Sequence, residues 1–95
     1  MEKICYVYIM ASKKNGILYV GMSDDLARRN YEQQLKKYDS FTAKYGVDKL
    51  VYYEVKTDMK SAMLREKEIK GKLRIKKIKL IEENNPEWND MTYSL

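Results

Sequence analysis

The stretch Tyr6–Arg29, YVYIMASKKNGILYVGMSDDLARR, decides how this chain folds. It reads as strand, turn, strand and the first turns of a helix. Ile4 to Met10 is apolar or aromatic at nearly every position, the pattern of a strand covered on both faces. Ser12-Lys13-Lys14-Asn15-Gly16 breaks it, and Asn-Gly is the strongest short hairpin signal, because both turn positions then accept positive φ. Ile17 to Gly21 is the returning strand. Ser23 offers a hydroxyl to the free N–H groups of the helix that follows, and Asp24 and Asp25 place negative charge at its positive end. With Asn15-Gly16 as a two-residue loop, Ser12 faces Tyr19. Tyr8 shares parity with Ser12, so Tyr8 and Tyr19 project from one face. Arg29 follows on the helix, which brings two phenols and a guanidinium towards one side of the sheet.

Outward from this hairpin, a first helix is expected over about Asp24–Lys37, with Ala27, Tyr31, Leu35 and Tyr38 on its core stripe. Spacing alone leaves Arg29 open between a solvated charge and a site residue. Gly46 marks a turn. Lys49–Lys56 is rich in β-formers and reads as a third strand. Thr57 or Asp58 caps a helix over Met59–Lys70, and Gly71 interrupts it before another helix over about Leu73–Asn84, ending ahead of Pro86. In this last helix Leu73, Lys77, Leu80, Ile81 and Asn84 form a stripe. Trp88 reads as a cap on the core. The expected architecture is a single α/β domain over residues 1–95, α+β in type: a small three-stranded antiparallel sheet flanked by helices.

The helix Met59–Lys70 carries the most telling side chain. Met59, Ala62, Met63 and Ile69 make its apolar stripe, and Glu66 lies inside it. A carboxylate facing a core must be paired, protonated or bound to a cation. Two readings stay open on spacing alone, a buried ion pair with an arginine and a metal-ligand carboxylate.

Composition narrows the chemistry. Nineteen basic against 14 acidic residues give a net charge of +5, a lean towards polyanions. The run Lys67, Lys70, Lys72, Arg74, Lys76, Lys77 and Lys79 is the most basic part of the chain. It is either a solvated face or a phosphate-contacting patch, with Lys70, Lys72, Arg74, Lys76 and Lys77 as the candidate nucleic-acid contacts. The absence of histidine removes imidazole chemistry, and with a single cysteine, Cys5, it argues against zinc and excludes an internal disulfide. Cys5 sits in an apolar strand and reads as buried and inert. No secretory h-region and no membrane-length apolar run is present, so a cytoplasmic protein with no membrane partner is expected.

Val7-Tyr8, then Tyr19-Val20-Gly21, then Asp25-Leu26-x-x-Arg29 resemble the GIY-YIG nuclease domain. Tyr6-Val7-Tyr8 keeps only the final tyrosine of the first triplet. Phe41-Thr42-x-Lys44-Tyr45-Gly46-Val47, Leu50-Val51-Tyr52-Tyr53-Glu54, Arg65-Glu66-Lys67 and Asn85-Pro86-Glu87-Trp88 extend the likeness over nearly the whole chain. They are similar to the small stand-alone bacterial branch, related to the N-terminal nuclease domain of the bacterial excision-repair nuclease. The resemblance implies a metal-dependent endonuclease, a hydrolase of DNA phosphodiester bonds with a tie to DNA repair and a preference for branched or damaged structures. It implies that Glu66 holds Mg²⁺ or Mn²⁺, that Arg29 binds the scissile phosphate, and that Tyr8 is the base or orients the water, with Tyr19 supporting it. One position departs from the family: a histidine or tyrosine commonly stands one helical turn after the arginine, where this chain has Gln33. Glutamine cannot accept a proton at neutral pH. Gln33 therefore keeps a second reading, a catalytically impaired nucleic-acid-binding module of the same fold, and the basic helix keeps a third, an interaction domain for an acidic protein partner.

Overall fold

The computed structural model describes residues 4–26, 28 and 45–94. Arg29, Gln33, the stripe Ala27, Tyr31, Leu35 and Tyr38, and Phe41 to Lys44 lie outside the described residues. Three strands, β1 (Cys5–Ala11), β2 (Leu18–Ser23) and β3 (Lys49–Lys56), form an antiparallel sheet in the order β2-β1-β3. Two helices follow, α1 (Met59–Lys70) and α2 (Arg74–Asn84), and a short 3₁₀ turn spans Met91–Ser94. The bounds of β3 and α1 are those the sequence predicts. Asp58 caps α1 by accepting from the Ser61 backbone N–H at 2.7 Å and from its hydroxyl at 2.9 Å.

The central strand is buried on both faces, as its unbroken apolar run requires. Cys5, Val7, Ile9 and Ala11 pack with Ala62 and Ile69 of α1, Ile81 of α2 and Trp88. Tyr8 and Met10 point the other way, into a second cluster with Leu26, Val47 and Leu50, against which Tyr6, Tyr19 and Tyr53 lean. The helices α1 and α2 thus cover one face of the sheet, and the tyrosines occupy the other.

The hairpin differs from the expected one. Met10 pairs with Tyr19 and Ala11 with Leu18, a register two residues from that of a two-residue loop. Ser12 N–H donates to the Ile17 carbonyl at 3.0 Å and Gly16 N–H to the Lys13 carbonyl at 2.9 Å, so the loop holds four residues, Lys13 to Gly16. Only Asn15 takes positive φ, at 62°. The Ser12 hydroxyl accepts from Ile17 N–H and draws the wider turn together. A slip of two residues preserves side-chain parity, so Tyr8 and Tyr19 still share a face.

Two helix stripes are narrower than the sequence indicates. Met59 and Met63 are exposed, leaving Ala62 and Ile69 as the buried residues of α1. Leu73 is the N-cap of α2 and is 72% exposed, while Ile78 takes a place on the packed side. At the helical residues Leu26 and Arg28, after β2, the cap falls later than expected. The Ser23 hydroxyl accepts from Asp25 N–H at 3.0 Å, and it is Asp25 that caps the helix, accepting from Arg28 N–H at 3.1 Å.

The segment after α2 secures the outer strand. β3 carries a bulge at Val51, since Ile9 pairs with Tyr52 and Met10 with Leu50. The buried Asn85 amide donates to the Val51 carbonyl at 3.0 Å and to the Asn89 carbonyl at 2.9 Å, and its oxygen accepts from Asn89 N–H at 3.0 Å. Trp88, 2% exposed and at φ 57°, donates its indole N–H to Glu82. Asn85→Ala strands a buried carbonyl at the bulge. It is expected to lower unfolding free energy by about 1–3 kcal/mol, measured by urea denaturation. Among the described residues no helix is long and apolar enough to cross a membrane.

Candidate active site

Tyr8 is placed by the middle strand, where both neighbours and both sheet faces restrain it, and it is 1% exposed. It pairs with Gly21 across the β1–β2 ladder. A Cβ built on Gly21 would lie 2.7 Å from the Tyr8 hydroxyl oxygen and 3.0 Å from Cε1 of Tyr19. The Tyr8 ring therefore lies across the bare backbone of Gly21, which brings its hydroxyl over the edge strand β2. Tyr19, half-buried on β2, packs beside it with ring centroids 6.5 Å apart and planes tilted by 39°. The glycine is needed here for close approach rather than for an unusual φ.

Glu66 lies between Ala62 and Ile69 on the face that α1 turns to the sheet, and its side chain is 22% exposed. Among the described residues its polar partner is Lys70, one turn along, with Nζ 3.5 Å from Oε1. That is longer than a charge-assisted hydrogen bond of about 2.8 Å. The carboxylate is mostly withdrawn from water and loosely paired. The helix α1 packs on the sheet face opposite the tyrosines and touches β2 as well as β1 and β3. The structure thus brings Tyr8 and Tyr19 together, and it sets Glu66 on an element that reaches the same edge strand from the other side. Arg29 lies outside the described residues.

The basic residues are not equivalent. The Arg74 guanidinium donates to the carbonyls of Asn15 and Gly16, at 2.8 and 2.6 Å, and so ties the start of α2 to the hairpin tip. Lys70 pairs with Glu66, Lys76 is exposed, and Lys72 and Lys77 are half-buried. A cavity of about 430 Å³ runs along α2, lined by Ile75, Lys76, Ile78, Lys79, Glu82 and Glu83.

The carboxylate locked to an arginine is Glu54, which the sequence reading did not single out. Arg65 Nε donates to both Glu54 oxygens at 3.0 and 3.1 Å, and Nη2 donates at 2.8 Å. Tyr52 donates its hydroxyl to the same carboxylate, Lys56 stands 3.3 Å away, and Arg65 also pairs with Glu68. This cluster clamps α1 to β3 one residue before Glu66. Burial alone would raise the Glu54 carboxyl. The Arg65 guanidinium and the Tyr52 hydroxyl overcome it and hold Glu54 at about 2, below its ordinary 4.5. Burial, reinforced by the Glu54 charge, pushes the Tyr52 phenol up to about 12. The signs give two pH windows. A lowered carboxyl stabilises the fold above 4.5, and that contribution is lost as pH falls from about 4.5 towards 2. A raised phenol stabilises below 10, and that contribution is lost as pH rises from 10 towards 12. Thermal melts are expected to fall in both windows. Tyr52→Phe should flatten the alkaline limb, and Glu54→Gln the acid one, at a cost of about 1–3 kcal/mol near neutrality.

A family model described as the GIY-YIG catalytic domain matches residues 4–79. The chain belongs to the GIY-YIG family. GIY-YIG domains are nucleases in general, which makes nucleic acid the substrate class. The chain is also similar to the solution NMR structure of the UPF0213 protein BH0048 from Bacillus halodurans, at 29% identity over 94% of each chain and a TM-score of 0.57. That neighbour shares the three-stranded antiparallel α+β fold. No functionally described protein in the curated set matches the chain.

GIY-YIG nucleases generally use divalent metals. Among the described residues no three acidic, histidine or cysteine side chains gather into an ion cage. A caged ion is therefore a poor fit, whereas a hydrated ion held by one carboxylate and the substrate phosphate fits well. Glu66 has the character this needs: an oxygen-only donor, mostly buried, whose partner among the described residues is an ammonium acting as a stand-in cation.

Proposed function

We propose that this GIY-YIG chain, acting as one domain over residues 1–95, is a metal-dependent endonuclease that hydrolyses DNA. Structure, such as a branch or a damaged site, guides it more than sequence. The observation that carries the reading is Glu66, a mostly buried carboxylate on an apolar helix face, with one loose partner among the described residues.

In this reading Glu66 holds Mg²⁺ or Mn²⁺. When bound, the ion polarises the phosphoryl oxygen and stabilises charge on the departing 3′ oxygen. Arg29 binds the scissile phosphate with its forked donors. Tyr8, as its phenolate, orients the attacking water and takes its proton at the phenolic oxygen, over β2, the edge strand that α1 also touches, with Tyr19 beside it. The water oxygen bonds to phosphorus as the bond to the 3′ oxygen breaks. A neutral phenol is a poor base, so Tyr8 depends on positive charge at the phosphate to favour its phenolate. Lys72, Lys76 and Lys77 contact neighbouring phosphates along α2, which steadies the backbone without reading bases. The DNA partner and a cytoplasmic role in repair follow from the same reading.

Gln33 favours a second reading, a module that binds nucleic acid and does not cut. One assay decides between them. Flaps, forks, four-way junctions and linear duplex are incubated with the protein in Mg²⁺, Mn²⁺ or chelator. Nicking that needs the ion and is faster on branched DNA supports the nuclease. Salt-sensitive binding to the same panel with no product supports the module.

A further inference from the structure

Lys70 stands where the proposed reaction needs a cation. We propose that Lys70 is a two-position cation: it neutralises Glu66 while no metal ion is held there, and it moves to a substrate phosphate when a divalent ion takes its place. The inference rests on the reading of Glu66 as the metal ligand.

The two helix–carboxylate pairs near this site are built differently. Arg65 grips Glu54 through three hydrogen bonds of 2.8–3.1 Å, with both side chains largely buried. Lys70 meets Glu66 through one 3.5 Å contact, and its own side chain is 54% exposed. A half-exposed ammonium on a flexible stem moves into water at little cost, and a single 3.5 Å contact with such a group adds little to folding. Weak retention is what a displaceable counter-ion requires.

Displacement leaves Lys70 close to a new partner. An ion held at Glu66 together with a substrate phosphate would place that phosphate beside the carboxylate. The ammonium starts 3.5 Å from the same carboxylate. A change of rotamer, with the backbone of α1 unmoved, carries it to a phosphate oxygen. The position also suits a returning charge, because Lys70 lies in the last turn of α1, where helical carbonyls favour a cation.

The arrangement makes metal and nucleic acid strengthen one another. The ion releases Lys70 for the phosphate, and the phosphate holds Lys70 away from Glu66. By linkage the coupling is equal in both directions. Removing the lysine relieves the ion of a competitor and deprives the nucleic acid of a contact that exists only in the loaded protein.

Two measurements on the full chain test this. Calorimetric titration with Mn²⁺, without nucleic acid, is made on wild type, Lys70→Gln and Glu66→Gln. Lys70→Gln should bind about two- to fivefold more tightly, and Glu66→Gln should not bind. Anisotropy of a labelled DNA fork is then measured in chelator and in Ca²⁺. Lys70→Gln should match wild type in chelator and bind about two- to fivefold more weakly in Ca²⁺. Unchanged Mn²⁺ affinity in Lys70→Gln, or an equal loss of fork binding with and without the ion, overturns the proposal. Glu66→Gln binding Mn²⁺ as wild type does overturns the nuclease reading itself, an outcome that the Lys70 comparison does not produce.

Discussion

Glu66→Gln is expected to lower metal-dependent cleavage by on the order of 10³-fold while leaving the melting temperature within about 5 °C of wild type. The substitution keeps the shape of the side chain and removes the charge that an ion needs. The fold has little at stake, since the interaction lost among the described residues is a single 3.5 Å contact with a half-exposed lysine. Glu54 serves as the internal contrast. Its replacement leaves Arg65 facing Tyr52 and Lys56 without their shared anion, so stability falls first and activity follows from the loosened helix. The two glutamates lie close in sequence, yet one substitution should act on rate and the other on folding. Single-turnover cleavage measured beside thermal melts separates them. Equal effects of both variants on both readouts would show that Glu66 is merely another structural acid.

How much of this is legible in the sequence depends on which forces act locally. β3 and α1 are readable to the residue, because Asp58 supplies a cap and Gly71 ends the helix, both short-range effects. The pairing of Tyr8 with Tyr19 survives a wrong register because strand parity repeats every two residues. The register itself is hidden, since it turns on the Ser12 hydroxyl closing a wider loop rather than on Asn15-Gly16 alone. Glu54 escapes notice, although its signal is present. Tyr52 and Glu54 are two apart on a strand, and Arg65 falls with Ala62 and Ile69 on the buried side of α1, so an acid and an arginine have to meet. Asn85 is harder. Its burial depends on a bulge in a strand 34 positions away, and no periodicity in the sequence announces a bulge. Arg74 reads as part of a charge run, and only the tertiary fold reveals that the hairpin tip supplies its carbonyl partners. Arg29, to which the family resemblance gives the scissile phosphate, lies outside the described residues.

Gly21→Ala should damage both cleavage and stability, through a single methyl group. At 2.7 Å from the Tyr8 hydroxyl oxygen and 2.8 Å from Cζ, the new carbon cannot coexist with the present ring position. Tyr8 has nowhere easy to go: it is 1% exposed and packed with Met10, Leu26, Val47 and Leu50. Tyr19, 3.0 Å from the same carbon, must also yield. The phenol proposed to orient the water is then displaced by about an ångström, and misplacement of that size costs on the order of 10²-fold in rate. Overpacking should remove a further 1–3 kcal/mol, roughly, from stability. The informative measurement is a cycle with Tyr8→Phe. Where the alanine acts by moving the Tyr8 hydroxyl, the double variant cleaves no more slowly than Tyr8→Phe alone, because that hydroxyl is already gone. Additive losses would mean that Gly21 matters for another reason, such as close approach of the nucleic-acid backbone to β2, and the role given to Tyr8 would fall.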